Sequence, residues 1–207
     1  MAPGVEPLAR RLGELGSELD RSLPALRAGV RDRADDTTRG VATGWLDPLP
    51  QTLGSAREAS LSFEGDRECP VLCHGDLWPA HAYFRGSVFA GFTDFEALSL
   101  GPPTLDLAQL VAHFGGWEMQ AHATRSYGRI APLTERHRAT LPFELLADLA
   151  SEGIWSLQAL YLDPSTGLTR AQRTAHAHNL RVLLGCLEQI SKKVNPRKGN
   201  RQFSQNL

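Results

Sequence analysis

The chain has 207 residues, 42% of them hydrophobic and 22% charged, and a formal net charge of -1. It is long enough to bury a core without a metal or disulfide staple, and the charge balance excludes both a disordered chain and a global pull toward nucleic acid. No apolar run approaches the ~20 residues that span a bilayer, and Met1 to Arg11 turns charged at once with no apolar leader, so the expected compartment is the cytoplasm.

In chain order, Leu8, Leu12, Leu15, Leu19 and Leu23 recur at spacings of three and four and predict an amphipathic helix over 6–22, which Pro24 ends or bends. From Arg31 to Gln51 the pattern breaks into turns and short helical pieces, and residues 65–70 read as a loop. Val71 to His74 is a short apolar run. His81 to Phe84 and Val88 to Asp94 favour β-structure and pair as a hairpin across Gly86. Helices follow over 105–114, with Thr104 as N-cap, and over roughly 117–128, 142–161 and 169–191. The aromatic residues Tyr83, Phe84, Phe89, Phe92 and Phe95 are expected to pack the hairpin onto the helices. The fold class is mainly α (α+β), helices around one small hairpin.

Two residue types narrow the chemistry. Cys69, Cys73 and Cys186 lack the partners of a closed zinc site and read as free thiols. The only lysines are Lys192, Lys193 and Lys198, so no residue before 192 serves as an amine. That excludes a Walker A loop and lysine-nucleophile chemistry in the body of the fold. Residues 191–207 carry five cations and no acid, and read as a solvated basic tail with no role in binding nucleic acid.

The informative stretch runs from Val71 to Phe84, continues in Gly91-Phe-Thr-Asp-Phe-Glu96, and ends in Leu105-Asp-Leu-Ala108. Asp76 follows His74 by two residues, His81 comes five residues later, and Asp94 lies 18 residues beyond Asp76 at the end of a predicted strand. This is the frame of a kinase catalytic loop, His-x-Asp-x4-Asn, followed by an Asp-Phe-x metal site. In that chemistry Asp76 accepts the proton of an attacking hydroxyl and Asp94 holds magnesium against the nucleotide phosphates, because magnesium takes hard oxygen ligands.

The wording His74-Gly-Asp-Leu-Trp-Pro-Ala-His81, with Asp94-Phe-Glu96 and Gly101-Pro-Pro-x-x-Asp106-Leu-Ala108, resembles the aminoglycoside phosphotransferase and choline kinase-like family over about Cys69 to Leu110. The resemblance implies a protein kinase-like fold and phosphorylation of small-molecule hydroxyls with ATP and Mg2+ or Mn2+. It assigns Asp76 as the catalytic Asp, Asp94 as the metal Asp, His74 as the brace of the loop and Asp106 as the Asp that steadies the loop from the next helix. Two departures stand out. The family's metal-binding Asn is His81 here, and an imidazole suits manganese or zinc better than magnesium. The family's nucleotide lobe, with its strand lysine, has no counterpart in the lysine-free, helical-looking residues 1–68.

The expected organisation is therefore a large helical lobe over 1–190, with 1–68 its leading helices and 69–110 its catalytic and metal segment. The N-terminal β lobe is absent or supplied by a partner chain, and 191–207 form the tail. Two alternatives accompany this reading: a pseudokinase-like module that binds a small molecule or partner without transfer, and a manganese or zinc hydrolase built on Asp76, His81 and Asp94.

Overall fold

A computed structural model describes residues 6–63, 70–162 and 167–194. Seven helices, α1 (Leu8–Arg33), α2 (Asp36–Leu46), α3 (Leu49–Ser60), α4 (Thr104–Phe114), α5 (Gln120–Gly128), α6 (Glu135–Tyr161) and α7 (Arg170–Val194), make up most of it. Four short strands, β1 (Val71–Cys73), β2 (Ala82–Arg85), β3 (Val88–Phe92) and β4 (Ser99–Gly101), form two separate two-stranded antiparallel sheets. No strand precedes Val71 among the described residues. None of their helices is long and apolar enough to cross a membrane.

Helix α1 runs beyond the predicted end at residue 22 and straight through Pro24. The leucine stripe explains this, since Leu19, Leu26 and Val30 are buried on both sides of the proline, and tertiary packing of that face outweighs the lost backbone bond. The segment expected to hold turns and short helical pieces from Arg31 to Gln51 contains the end of α1, all of α2 and the start of α3. Asp35 caps α2 by accepting the backbone N–H of Thr38 at 2.8 Å. Helix α6 starts at Glu135, seven residues before the expected 142, and also passes through a proline, Pro142. Its start is fixed by a capping box in which Thr134 Oγ1 accepts from His137 N and His137 Nδ1 accepts from Thr134 N. A histidine in place of the usual Glu or Gln hides that box from a sequence pattern.

Helix α1 packs against α3 and α6, α4 against α6, and α6 against α7. At the centre Trp45 of α2 is fully buried and donates its indole N–H to the Leu180 carbonyl at 2.9 Å. A Cβ at Gly153 would collide with that indole, so α6 needs glycine there. Arg11 of α1 reaches the buried Glu144 of α6 at 2.8 Å, tying the first helix to the core by an ion pair.

The remaining differences are local. Thr104 is the first residue of α4 and not its cap; Pro103 holds the cap position with no side-chain bond, because its fixed φ suits a helix start. Residues 117–128 divide into a 3-10 turn, Trp117–Met119, and α5. The 169–191 helix extends to Val194, taking in Lys192 and Lys193. Cys69, Lys198 and the rest of the basic tail lie outside the described residues.

Strand β4 has no counterpart in the prediction. It pairs with β1 in the register Val71↔Gly101, Leu72↔Leu100 and Cys73↔Ser99. This pairing pinches residues 74–98 into a closed excursion, with the β2–β3 hairpin inside it.

Candidate active site

The excursion begins where β1 delivers Cys73 to the core and the chain turns away at His74. Gly75 makes the turn with φ +80, and a Cβ there would collide with the Ala97 carbonyl at the end of the 3-10 turn Phe95–Ala97 that precedes β4. Only glycine meets both demands. Cys73 stays a thiol, since burial foremost, and then the nearby Asp106 carboxylate, push it up to about 11. Cys186 in α7 is likewise buried.

One face of α4 holds the loop. The Asp106 carboxylate accepts the backbone N–H groups of His74 at 2.8 Å and Gly75 at 3.0 Å, one on each oxygen. Gln109, three residues on, donates its amide N–H to the Gly75 carbonyl and accepts the Leu77 N–H, both at 2.9 Å. His113, four residues further, stacks on the Trp78 indole with ring centroids 4.2 Å apart. Spacings of three and four put Asp106, Gln109 and His113 in one row along the helix, so successive loop residues are held by successive turns.

His74 links the loop to the segment that follows β3. Its Nε2 lies 2.9 Å from the Thr93 carbonyl, and its Nδ1 accepts the Asp76 N–H at 3.3 Å. A carbonyl needs a donor and an N–H needs an acceptor, so this geometry assigns the neutral Nε2–H tautomer. The ring packs between Phe92 and Phe95, at centroid distances of 5.7 and 4.8 Å. Next to Thr93, Asp94 adopts φ 64 and ψ 65, the only left-handed conformation at a non-glycine among the described residues. Asp tolerates that region better than most residues, and the bend turns its side chain toward His81.

His81 stands between the two acids. Its Nδ1 lies 3.0 Å from the Asp76 carbonyl and 3.6 Å from Asp76 Oδ2, and its Nε2 lies 3.3 Å from Asp94 Oδ2. The Asp76 and Asp94 side chains are 40% and 45% exposed, open enough to meet a solute. Because Nδ1 donates to a carbonyl, Nε2 is the nitrogen that faces the Asp94 carboxylate. Two acceptors so placed need a proton or a cation between them. A 3.3 Å separation fits adjacent ligands on an octahedral ion, whose bonds of ~2.1 Å place neighbouring ligands about 3.0 Å apart. Asp94 and His81 Nε2 are thus the pair of side chains that could hold a divalent cation between them. Asp76 faces the opposite nitrogen, and no group of three acid, histidine or cysteine side chains able to hold a metal occurs among the described residues. That geometry disfavours a hydrolase site built on all three.

Several groups that the motif does not signal complete the surroundings. His113 Nε2 lies 3.4 Å from Asp148 Oδ2 on α6, with the histidine side chain only 4% exposed. One turn on, burial pushes Glu152 up to about 7, with Asp148 adding to the rise, His113 opposing it and Asp76 adding a smaller contribution. Gln109 and His113 were discoverable from their helical spacing to Asp106, whereas Asp148 and Glu152 arrive only through the packing of α4 on α6. The expected aromatic packing does not occur. Tyr83, Phe84, Phe89 and Phe95 are 49–58% exposed, since the hairpin projects from the helices and does not lie on them. Leu72, Val88, Leu98 and Leu100 are exposed as well. A separate groove of about 1000 Å³ between α1 and α3, lined by Gly13, Gly16, Arg21 and Arg57 among others, contains none of the residues of the excursion.

The sequence model of a family described as "Phosphotransferase enzyme family" matches residues 5–142, which includes every residue of the site up to α6. No curated protein and no solved structure matches the chain significantly.

Proposed function

Because the chain belongs to the phosphotransferase enzyme family, we propose that it transfers the γ-phosphoryl group of ATP to a hydroxyl of a small molecule, on the helical lobe of a protein kinase-like fold. The observation that carries this reading is the placement of Asp76 and Asp94 on opposite nitrogens of His81, within a loop pinned by Asp106.

In this reading Asp76 takes the proton from the acceptor hydroxyl as it attacks phosphorus. Asp94 and His81 Nε2 hold Mg2+ or Mn2+, which when bound supplies charge neutralisation at the phosphate oxygens. His74 couples the two acids by holding the Thr93 carbonyl beside Asp94 and the Asp76 amide with one ring. Asp106 and Gln109 fix the loop backbone so that the acid meets the acceptor without reorganisation. Glu152 of α6 is near enough to Asp76 for the two charges to interact.

The clamp on the nucleotide phosphates is a further part of the proposal. No lysine is available before Lys192, so in this reading the phosphate clamp comes from another lobe, on this polypeptide or on a partner. The lysine count also favours a second reading, a module that binds nucleotide or small molecule without transfer. Release of ADP from ATP in magnesium or manganese, over a panel of amino-alcohol and sugar acceptors, separates the two. Transfer abolished by Asp76→Asn supports the kinase reading. Nucleotide binding without ADP release supports the module.

A further inference from the structure

The row of α4 residues that holds the loop has a third member with no place in the motif. His113 is buried almost completely, stacks on Trp78 with an interplanar angle of 25°, and is held from behind by Asp148 at 3.4 Å. Its neighbours in the row, Asp106 and Gln109, fix the backbone of residues 74, 75 and 77. Their hydrogen bonds to the loop end at Leu77 among the described residues. The chain must nonetheless turn sharply there, since Trp78 N donates to the Asp76 carbonyl at 3.1 Å and His81 N to the Trp78 carbonyl at 3.0 Å. The Trp78 side chain is thus the lever on the one turn that places both Asp76 and His81.

We propose that His113, clamped by Asp148, is a positioning residue of the Asp76 loop. It acts through the Trp78 stack to set the turn from Asp76 to His81. The stack is nearly face to face at contact distance, which seats the indole against α4. The Asp148 carboxylate faces the imidazole at 3.4 Å, and its buried Oδ2 makes no hydrogen bond among the described residues, so removing the ring would take away the polar group that lies against it. Spacing from Asp106 places His113 on the same helix face as the two residues that hold the backbone. The consequence for turnover rests on the phosphotransferase reading, while the positioning itself does not.

The test uses the full chain and the variants His113→Leu, Asp148→Asn, Asp148→Leu and Trp78→Phe. Amide hydrogen exchange compares residues 75–78 with Leu183 and Leu187 in the α7 core. Emission of Trp78 is isolated by subtracting Trp78→Phe, and MgATP hydrolysis with water as acceptor is followed for kcat and KM. His113→Leu should accelerate exchange at residues 75–78 about tenfold while α7 stays unchanged. It should also change Trp78 emission, and lower kcat about tenfold with KM within twofold. Asp148→Leu should reproduce the loop effect and Asp148→Asn, which keeps a polar partner, should largely restore wild-type behaviour. Unchanged exchange and emission in His113→Leu would overturn the proposal, as would exchange that accelerates equally in the loop and in α7. A wild-type chain that hydrolyses no ATP would count against the phosphotransferase reading alone, because exchange and emission still decide the role of His113.

Discussion

Asp94 Oδ2 lies 3.3 Å from Nε2 of His81, at the nitrogen opposite the one that Asp76 occupies. The separation gives the site a nitrogen donor where an amide oxygen would be the harder ligand, and that should be visible in metal preference. His81→Asn is expected to strengthen nucleotide binding in magnesium relative to manganese by severalfold, and His81→Ala to weaken binding in both. Calorimetry in each metal measures the ratio. An unchanged ratio would place His81 outside the metal shell.

Asp106 accepts two consecutive backbone N–H groups, one on each carboxylate oxygen. Asp106→Asn keeps the shape but turns one acceptor into a donor facing another donor. Removing a charge-assisted acceptor from a partly buried N–H should cost about 2 kcal/mol of stability. Urea unfolding measures the loss, and the rise in exchange should be confined to the His74 and Gly75 amides at low denaturant. A variant as stable as wild type would show that the loop backbone finds water instead.

Burial holds the Glu152 carboxyl up to about 7, against 4.5 for an exposed one, with Asp148 second among the causes that raise it. Between those two values the folded chain binds a proton that the unfolded chain has released. Stability from this group is therefore full below about pH 4.5 and is lost as pH rises through 7. The loss by pH 8 should be on the order of 2–3 kcal/mol. Glu152→Gln removes the titration, so the difference in unfolding free energy between pH 5 and pH 8 should shrink by about that amount. A difference equal to that of wild type would mean the carboxyl is solvated.

The residues that the motif names were readable in the sequence because their chemistry depends on spacing within one short excursion: His74, Asp76, His81 and Asp94 converge there, with Asp106 reaching in from the next helix. Helices with long leucine stripes, α1 and α7 above all, were readable for a similar reason. What the sequence hid depends on long-range packing or on unusual residues in familiar roles. Pro24 and Pro142 look like helix breakers until buried leucines are seen on both sides of them. His137 does the work of a capping Glu. Strand β4 pairs across 28 residues with β1, and its three residues, Ser99-Leu-Gly101, carry no β-pattern of their own. The exposed hairpin reverses an expectation that treated aromatic residues as core wherever they cluster. Gln109 and His113 needed only the helical period from Asp106, whereas Asp148 and Glu152 needed the packing of α6 behind them.

The central claim is that Asp94 holds a metal ion with the nucleotide. The most direct measurement is calorimetric titration of the purified chain with ATP, in magnesium and separately in manganese, with Asp94→Ala alongside. The account predicts metal-dependent binding in the wild-type chain, at least as tight in manganese as in magnesium, that Asp94→Ala weakens by tenfold or more. Binding that is equally strong with metal chelated, or that survives Asp94→Ala, would contradict it.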